Sequence, residues 1–119
     1  MKGFDDIVFE PHPVGEGFHG KIFFPNGYGV SVVRFKTPYS VLYGSYTSND
    51  DEWEVAILKG DENKWELCYD TEITNDVIGY QTEGEVTWIM VKVQQLWLCL
   101  HIYKICQQKH QNFLVLQEP

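Results

Sequence analysis

The 119-residue chain has few basic residues for its length. Nine Lys and Arg stand against seventeen Asp and Glu, which gives a formal charge of −8. An acidic surface repels phosphate backbones, whereas proteins that bind nucleic acids carry a basic stripe. Direct binding to DNA or RNA is therefore not expected.

Long apolar runs are also missing. The N-terminal residues lack the apolar core of a secretion signal. The longest apolar run, residues 96–105, is interrupted by His101 and Lys104 and is too short to span a bilayer. We therefore expect a cytoplasmic protein with no membrane association.

Cysteine is scarce, and the spacing of the cysteines does not suggest disulfide pairs. Cys68, Cys99 and Cys106 make an odd number and include no Cys-x-x-Cys pair, which is a poor framework for disulfides and a poor zinc signature. Cys68 lies between Leu67 and Tyr69 in a predicted strand, without the small-residue elbow of a nucleophile. Burial as a small hydrophobic residue is favoured over catalysis.

Aromatic residues, in contrast, are plentiful: the chain has four Trp, seven Tyr and seven Phe. Disordered chains are poor in aromatic residues, and a chain of this length buries about two-thirds of its unfolded surface on folding. We therefore expect a single folded domain over residues 1–96.

Two hairpins are indicated by turn residues between short β-type runs. Asn26-Gly27 separates residues 21–24 from 30–35, and Asn-Gly supplies the positive φ angles of tight hairpin turns. A second hairpin is predicted from residues 53–58 and 64–69, joined about residues 60–63. In each of its two strands the bulky residues share one face by period-two alternation: Trp53, Val55 and Ile57, then Trp65, Leu67 and Tyr69.

A helix is predicted after the strands. Thr82 and Glu85 fit a capping box, and apolar residues follow at helical spacing, so the helix starts near Glu83. Gly84 in its first turn costs about 1 kcal/mol relative to Ala. The apolar residues are Val86, Ile89, Met90, Val93, Leu96 and Trp97.

Residues 97–119 change composition again, from apolar over 97–106 to polar. This tail is either an extension of the helix or an appendage to the domain, and an exposed 97–106 segment favours self-association. The predicted fold is α+β: an antiparallel sheet of four or five strands with one C-terminal helix packed on one face.

Five segments carry a family resemblance: residues 8–13, 24–33, 54–60, 67–71 and 76–80. In this order they resemble a group of small proteins encoded by tailed phages and prophages, over roughly residues 6–96. The most specific piece reads Asn-Gly-Tyr-Gly-Val-Ser-Val-Val. The resemblance implies a viral setting, hence the cytoplasm of a host cell, and no particular activity. The tail from Trp97 departs from the group, whose chains tend to end soon after the helix.

Two groups of residues suggest chemistry. His12 and His19 with Glu10 and Glu16 resemble a metal-ligand set, but their spacing matches no ligand motif, so loop histidines and no metal or other cofactor are expected. The second group, Asp70, Glu72 and Asp76, follows a predicted strand. Paired carboxylates serve glycoside chemistry or divalent ions, yet Asp and Thr also form turns, as Thr71 and Thr74 suggest, and turns are favoured.

The segment 37–51 is predicted to be a long surface loop, because it lacks apolar periodicity. Its tyrosines offer large contact area at low entropy cost, although packing over the sheet is an open alternative. It leads into residues 50–85, which hold twelve acids and two bases; this acidic stretch serves either partner binding or solubility. The candidate binding residues are Tyr39, Tyr43, Tyr46, Asp50, Asp51 and Glu52.

Two classes of function stay open. The favoured one is a non-enzymatic phage accessory protein that binds a host or viral protein through its acidic surface, as small phage proteins bind host factors, including defence proteins. The alternative is a small enzyme or ligand-binding domain that uses Asp70, Glu72 and His12. A concave pocket lined by titratable groups distinguishes the two.

Overall fold

A computed structural model describes residues 1–13, 16–36, 47–74 and 76–96. In these residues the chain forms an antiparallel sheet with one C-terminal α-helix packed against it, which confirms the predicted α+β fold. The elements are a 3-10 helix Phe4–Asp6, β1 Glu10–Pro11, β2 Glu16–Phe23, β3 Tyr28–Lys36, β4 Trp53–Gly60, β5 Trp65–Leu67, β6 Ile78–Gln81, and α1 at residues 83–96. None of the helical segments in these ranges is long and apolar enough to cross a membrane.

The strands follow the order β1-β2-β3-β4-β5, and β6 pairs with β4 as well. β5 pairs with β4 from Leu58 to Gly60, whereas β6 pairs with it near Trp53 and Val55. Because β3 occupies the opposite edge of β4, β5 and β6 lie in one line along the same edge. The six strands therefore fill five positions across the sheet. Residues 68–77 connect β5 to β6 outside the sheet.

The predicted reversal at Asn26-Gly27 is confirmed, since β2 and β3 pair from Glu16↔Lys36 to Phe23↔Gly29. Gly27 has a φ of 85°, but Asn26 does not share this positive φ. The loop is closed by the Phe24 N–H, which donates to the Tyr28 carbonyl at 2.8 Å. It thus holds three residues, because Pro25 with its fixed φ enters the turn ahead of the Asn-Gly pair.

The second predicted hairpin also forms, but β5 is limited to three residues. Its turn is closed by the Asp61 carboxylate, which accepts from the N–H groups of Asn63 at 2.8 Å and Lys64 at 3.0 Å. A side chain that bonds its own following main chain is typical of Asp in turns.

The sheet face toward α1 carries the core. Val30 and Val32 of β3 lie opposite Ile57 and Val55 of β4, and all four are at most 2% exposed. Burying a side chain of this size contributes about 1.5–3 kcal/mol. Four predicted helix residues complete the same cluster: Val86, Ile89, Met90 and Val93.

The capping box at the start of α1 is confirmed. Thr82 Oγ1 accepts from the Glu85 N–H at 3.3 Å, and Glu85 Oε1 accepts from the Thr82 N–H at 3.2 Å. Both bonds satisfy main-chain donors that have no partner inside a helix.

Removing the cap is expected to weaken the domain measurably. Thr82→Ala should lower the free energy of unfolding by about 1 kcal/mol in urea denaturation, because the Glu85 N–H loses its acceptor. Thr82→Ser, which keeps the hydroxyl, is the control. Equal stability of the alanine and serine variants would contradict the role of the cap.

Main-chain groups from distant parts of the chain are tied to α1. The Gln94 side chain accepts from the Lys2 N–H at 3.0 Å and donates to the Lys2 carbonyl at 2.8 Å. The Phe4 N–H donates to Thr87 Oγ1 at 3.0 Å. Asn26 Nδ2 donates to the Val93 carbonyl at 2.8 Å, so the first hairpin also holds the helix.

The predicted tail, residues 97–119, lies outside the described residues, and so does its self-association segment, 97–106. Most of the predicted loop, residues 37–46, lies outside them too. The described end of this loop holds Asp50 and Asp51, with Glu52 directly before β4, and the segment between β5 and β6 holds Asp70, Glu72 and Asp76.

Candidate functional site

The acidic residues predicted for binding lie in a short turn just before β4. Asp50 forms an ion pair with Lys36 at 3.6 Å, and its carbonyl accepts a hydrogen bond from Arg34. Glu52 accepts from both the N–H and the hydroxyl of Ser48, and these bonds hold the pKa of its carboxyl below the usual value. Glu52 therefore holds the turn together, and Asp50 ties the turn to β3.

The other predicted binding residues, Tyr39, Tyr43 and Tyr46, lie outside the described residues. Among the acids, Asp51 is the one whose carboxylate is exposed and not engaged in the turn, since only its N–H bonds, to Asn49 Oδ1 at 2.8 Å. Residues 50–52 thus present fewer unengaged carboxylates than the sequence indicates.

The turn is joined to the core through Arg34. Its guanidinium carbon lies 4.2 Å from the centroid of the Trp53 ring, in cation–π contact. Trp53 is buried, and its ring also packs against Phe4 and Phe9. This arrangement fixes the turn relative to the sheet.

An exposed apolar strip was not identified from the sequence. Trp65, Leu67 and Tyr69 are 42%, 46% and 46% exposed. Trp65 lies opposite Gly60 and Leu67 opposite Leu58, so both point to the face that does not carry the core cluster. Only Lys21 is in ring contact with the strip in the described residues, 4.9 Å from the Trp65 centroid.

The main chain of β5 is open on its outer side. The Cys68 N–H donates to the Ile57 carbonyl at 2.8 Å, so the main chain of Cys68 faces β4. Neighbouring residues of a strand alternate between the two sides, so the N–H and C=O of Leu67 and Trp65 face outward. Within the part of the chain that the structure describes, no group bonds to them there.

Beside this edge lies a shallow depression of about 330 Å³. Its charged groups are the Glu66 and Asp70 carboxylates and the Lys59 ammonium. The remaining lining residues are Leu67, Cys68 and Tyr69.

Cys68 forms part of the depression but belongs to the core. Its side chain is 5% exposed, and its thiol donates to Asp70 Oδ1 at 2.9 Å. Burial raises the pKa of the thiol, and the hydrogen bond adds to the effect. The same bond lowers the pKa of the Asp70 carboxyl. At neutral pH the site holds a protonated thiol and an ionised carboxylate, which is the wrong state for a cysteine nucleophile.

Cys68 is therefore expected to resist thiol reagents in the native state. In a Cys99→Ser/Cys106→Ser background, labelling by a chromogenic disulfide reagent should be slow and should accelerate only with denaturant. Because the folded thiol has the higher pKa, the unfolded chain loses its proton first. Stability should thus fall as the pH rises above about 8.5, the ordinary thiol value, and Cys68→Ala should remove this fall. Complete labelling within minutes at pH 7.5 would contradict burial.

The segment that links β5 to β6 has the predicted turn chemistry. Thr71 Oγ1 accepts from the Thr74 N–H at 3.3 Å, and Thr74 Oγ1 accepts from the Asp76 N–H at 3.1 Å. Asp76 Oδ1 accepts from the Val77 N–H at 2.7 Å. These bonds fix the path of the segment, and Glu72 lies exposed within it.

His12 follows β1, but His19 lies within β2 and not in a loop, so that part of the prediction is wrong. The two imidazole rings do come together, 5.8 Å apart between centroids. His12 stacks on Phe35 at 4.0 Å, across Gly17, which has no side chain to separate them. Burial lowers the pKa of His12, and the nearby His19 lowers it further. In the described residues, no three His, Cys, Asp or Glu side chains are placed to hold a metal ion.

The alternative site, Asp70, Glu72 and His12, is not assembled. His12 follows β1, which is one edge strand, while Asp70 and Glu72 follow β5 at the opposite edge, with β2, β3 and β4 between. At about 4.8 Å per strand, β1 and β5 are roughly 19 Å apart.

No protein-family model, curated protein or solved structure matches the chain. Its function is therefore inferred from the geometry of the described residues.

Proposed function

We propose that the chain is a non-enzymatic binding domain that recognises a basic partner protein through its acidic stretch, residues 50–85. The observation that carries this proposal is the exposed strip of Trp65, Leu67 and Tyr69, which lies inside that stretch. Exposed apolar residues rimmed by charge are typical of protein-binding surfaces.

Charge supplies the attraction. The stretch holds twelve acids against Lys59 and Lys64, and a partner with a basic surface is drawn to such a field before contact. The resemblance to phage and prophage proteins favours a host or viral protein as the partner, in the host cytoplasm, and an accessory role such as counter-defence.

The alternative of a small enzyme or ligand-binding domain has less support. Its three residues lie at opposite edges of the sheet, and the depression beside Asp70 contains a protonated, buried thiol. The binding proposal uses groups that are already exposed.

The test begins with affinity capture from a bacterial host lysate, followed by kinetics with the purified partner. Raising the salt concentration from 0.05 to 0.5 M should lower the association rate on the order of tenfold and change the dissociation rate little. At low salt, the triple variant Asp51→Asn/Glu62→Gln/Glu72→Gln should associate with the partner more slowly than the parent chain. These carboxylates are exposed, whereas that of Asp50 pairs with Lys36 and that of Glu52 holds the turn.

A matched variant controls for net charge. Asp5→Asn/Glu10→Gln/Glu16→Gln removes the same three charges outside the acidic stretch, from exposed positions. It should bind with nearly the parent association rate. Equal slowing by both triple variants, or an interaction that salt does not affect, would refute recognition through residues 50–85.

A further inference from the structure

We infer that β5 is a strand-addition site: an extended basic segment of the partner pairs with its open outer edge and places a Lys or Arg side chain beside Glu66 and Asp70. This inference rests on the proposed function and specifies how the partner is held. Recognition by strand addition draws affinity from main-chain hydrogen bonds and specificity from alternate side chains.

The main chain provides the first argument. Trp65 and Leu67 direct their N–H and C=O groups away from β4, and no described residue pairs with them. A strand laid along this edge would extend the sheet by one position beyond β5. Three residues limit the number of new bonds, so a single such contact is expected to be of moderate affinity.

The side chains provide the second argument, because they differ on the two faces. Trp65 and Leu67 share one face, so every second residue of the added segment meets apolar surface there. Glu66 lies on the other face, where the depression also presents the Asp70 carboxylate. An incoming strand that alternates apolar and basic residues matches both faces at once.

Charge selects the occupant. Residues 61–76 contain six acids and one base, Lys64: the acids are Asp61, Glu62, Glu66, Asp70, Glu72 and Asp76. A second copy of this acidic edge would be repelled, which is one way that native proteins prevent edge strands from pairing with themselves. A basic segment is attracted by the same charges.

The experiment uses three labelled octapeptides and the intact chain, with binding followed by fluorescence polarisation. One peptide alternates Lys and Val, the second has the same composition in two blocks of four, and the third alternates Glu and Val. We expect the alternating Lys-Val peptide to bind at least tenfold more tightly than the block peptide, and the Glu-Val peptide not to bind. Glu66→Gln/Asp70→Asn should weaken binding of the alternating peptide about tenfold. Glu10→Gln/Glu16→Gln, which removes the same two charges from exposed positions outside the acidic stretch, should change it less than twofold.

Leu67→Pro tests the main chain directly. Its lost N–H faces outward and not toward β4, so the fold should persist, as proline is tolerated on strand edges. Binding of the alternating peptide should be abolished by Leu67→Pro and reduced only severalfold by Leu67→Ala. Exchange of the Leu67 amide hydrogen with solvent should slow on binding in the parent chain.

The outcomes separate the two proposals. Equal binding of the alternating and block peptides, or full binding by Leu67→Pro, would overturn strand addition while leaving recognition through the acidic stretch intact. Absence of binding by the alternating peptide would overturn it as well. Recognition through the acidic stretch fails separately, if the captured partner binds independently of salt.

Discussion

Trp53→Ala is expected to lower the free energy of unfolding by about 3–5 kcal/mol, the range of large-to-small aromatic substitutions in cores. Trp53 is 5% exposed, with its ring 4.7 Å from that of Phe9 and 5.4 Å from that of Phe4. The substitution leaves a cavity between the N-terminal residues and β4. It also removes the surface on which the Arg34 guanidinium lies. Urea denaturation measures the loss.

The control is a tryptophan on α1. Trp88 is 62% exposed, and Trp88→Ala is expected to change stability by no more than about 0.5 kcal/mol. Trp53→Phe should cost clearly less than Trp53→Ala, because it keeps a ring and removes the indole N–H, which is buried without a partner in the described residues. Similar losses for Trp53→Ala and Trp88→Ala would contradict the assigned core.

Gly60→Ala is expected to cost about 2–4 kcal/mol, because it combines backbone strain with a steric clash. Gly60 has a φ of 130°, and a Cβ there would lie 2.2 Å from the Lys64 carbonyl oxygen and 2.9 Å from the Trp65 Cα. The clash involves main-chain atoms on the opposite arm of the hairpin, which cannot rotate away. The β4–β5 pairing should therefore loosen, and binding of the alternating Lys-Val peptide should fall with it.

Alanine substitutions at two other glycines are controls for Gly60→Ala in the same stability measurement. A Cβ at Gly84 would meet no atom within 4 Å, so Gly84→Ala should stabilise the chain by about 0.5–1 kcal/mol through helix propensity. A Cβ at Gly27 has equal space, but its φ of 85° should make Gly27→Ala cost about 1 kcal/mol. A Gly60→Ala variant as stable as the parent would show that the hairpin tolerates a different turn.

Local signals in the sequence predicted much of the fold. The hairpin at Asn26-Gly27 and the capping box of Thr82 and Glu85 each depend on residues within five positions of one another. Such features are encoded in short segments, so their prediction needs no knowledge of the rest of the chain. The apolar spacing of α1 was informative for the same reason.

The β5 site was harder to predict from the sequence, because its position depends on the register of the strands. Alternation shows that Trp65 and Leu67 share a face, but only pairing with Gly60 and Leu58 shows that this is not the core face. Likewise, the pairing of Asp50 with Lys36 joins residues on separate elements. The turn predicted about residues 60–63 was the local signal for this hairpin, and the Asp61 carboxylate closes it.

The bonds between Lys2 and Gln94 bear on how the chain acquires its structure during synthesis. They connect residues 92 positions apart, and Asn26 reaches Val93 across 67 positions. A ribosome releases the N-terminal residues first, at about 5–20 residues per second, so these partners emerge seconds apart. The first strands are therefore synthesised before the helix that packs on them, and the core is completed only after α1 has left the exit tunnel. Contacts this distant in sequence are typical of domains that fold slowly and as one cooperative unit.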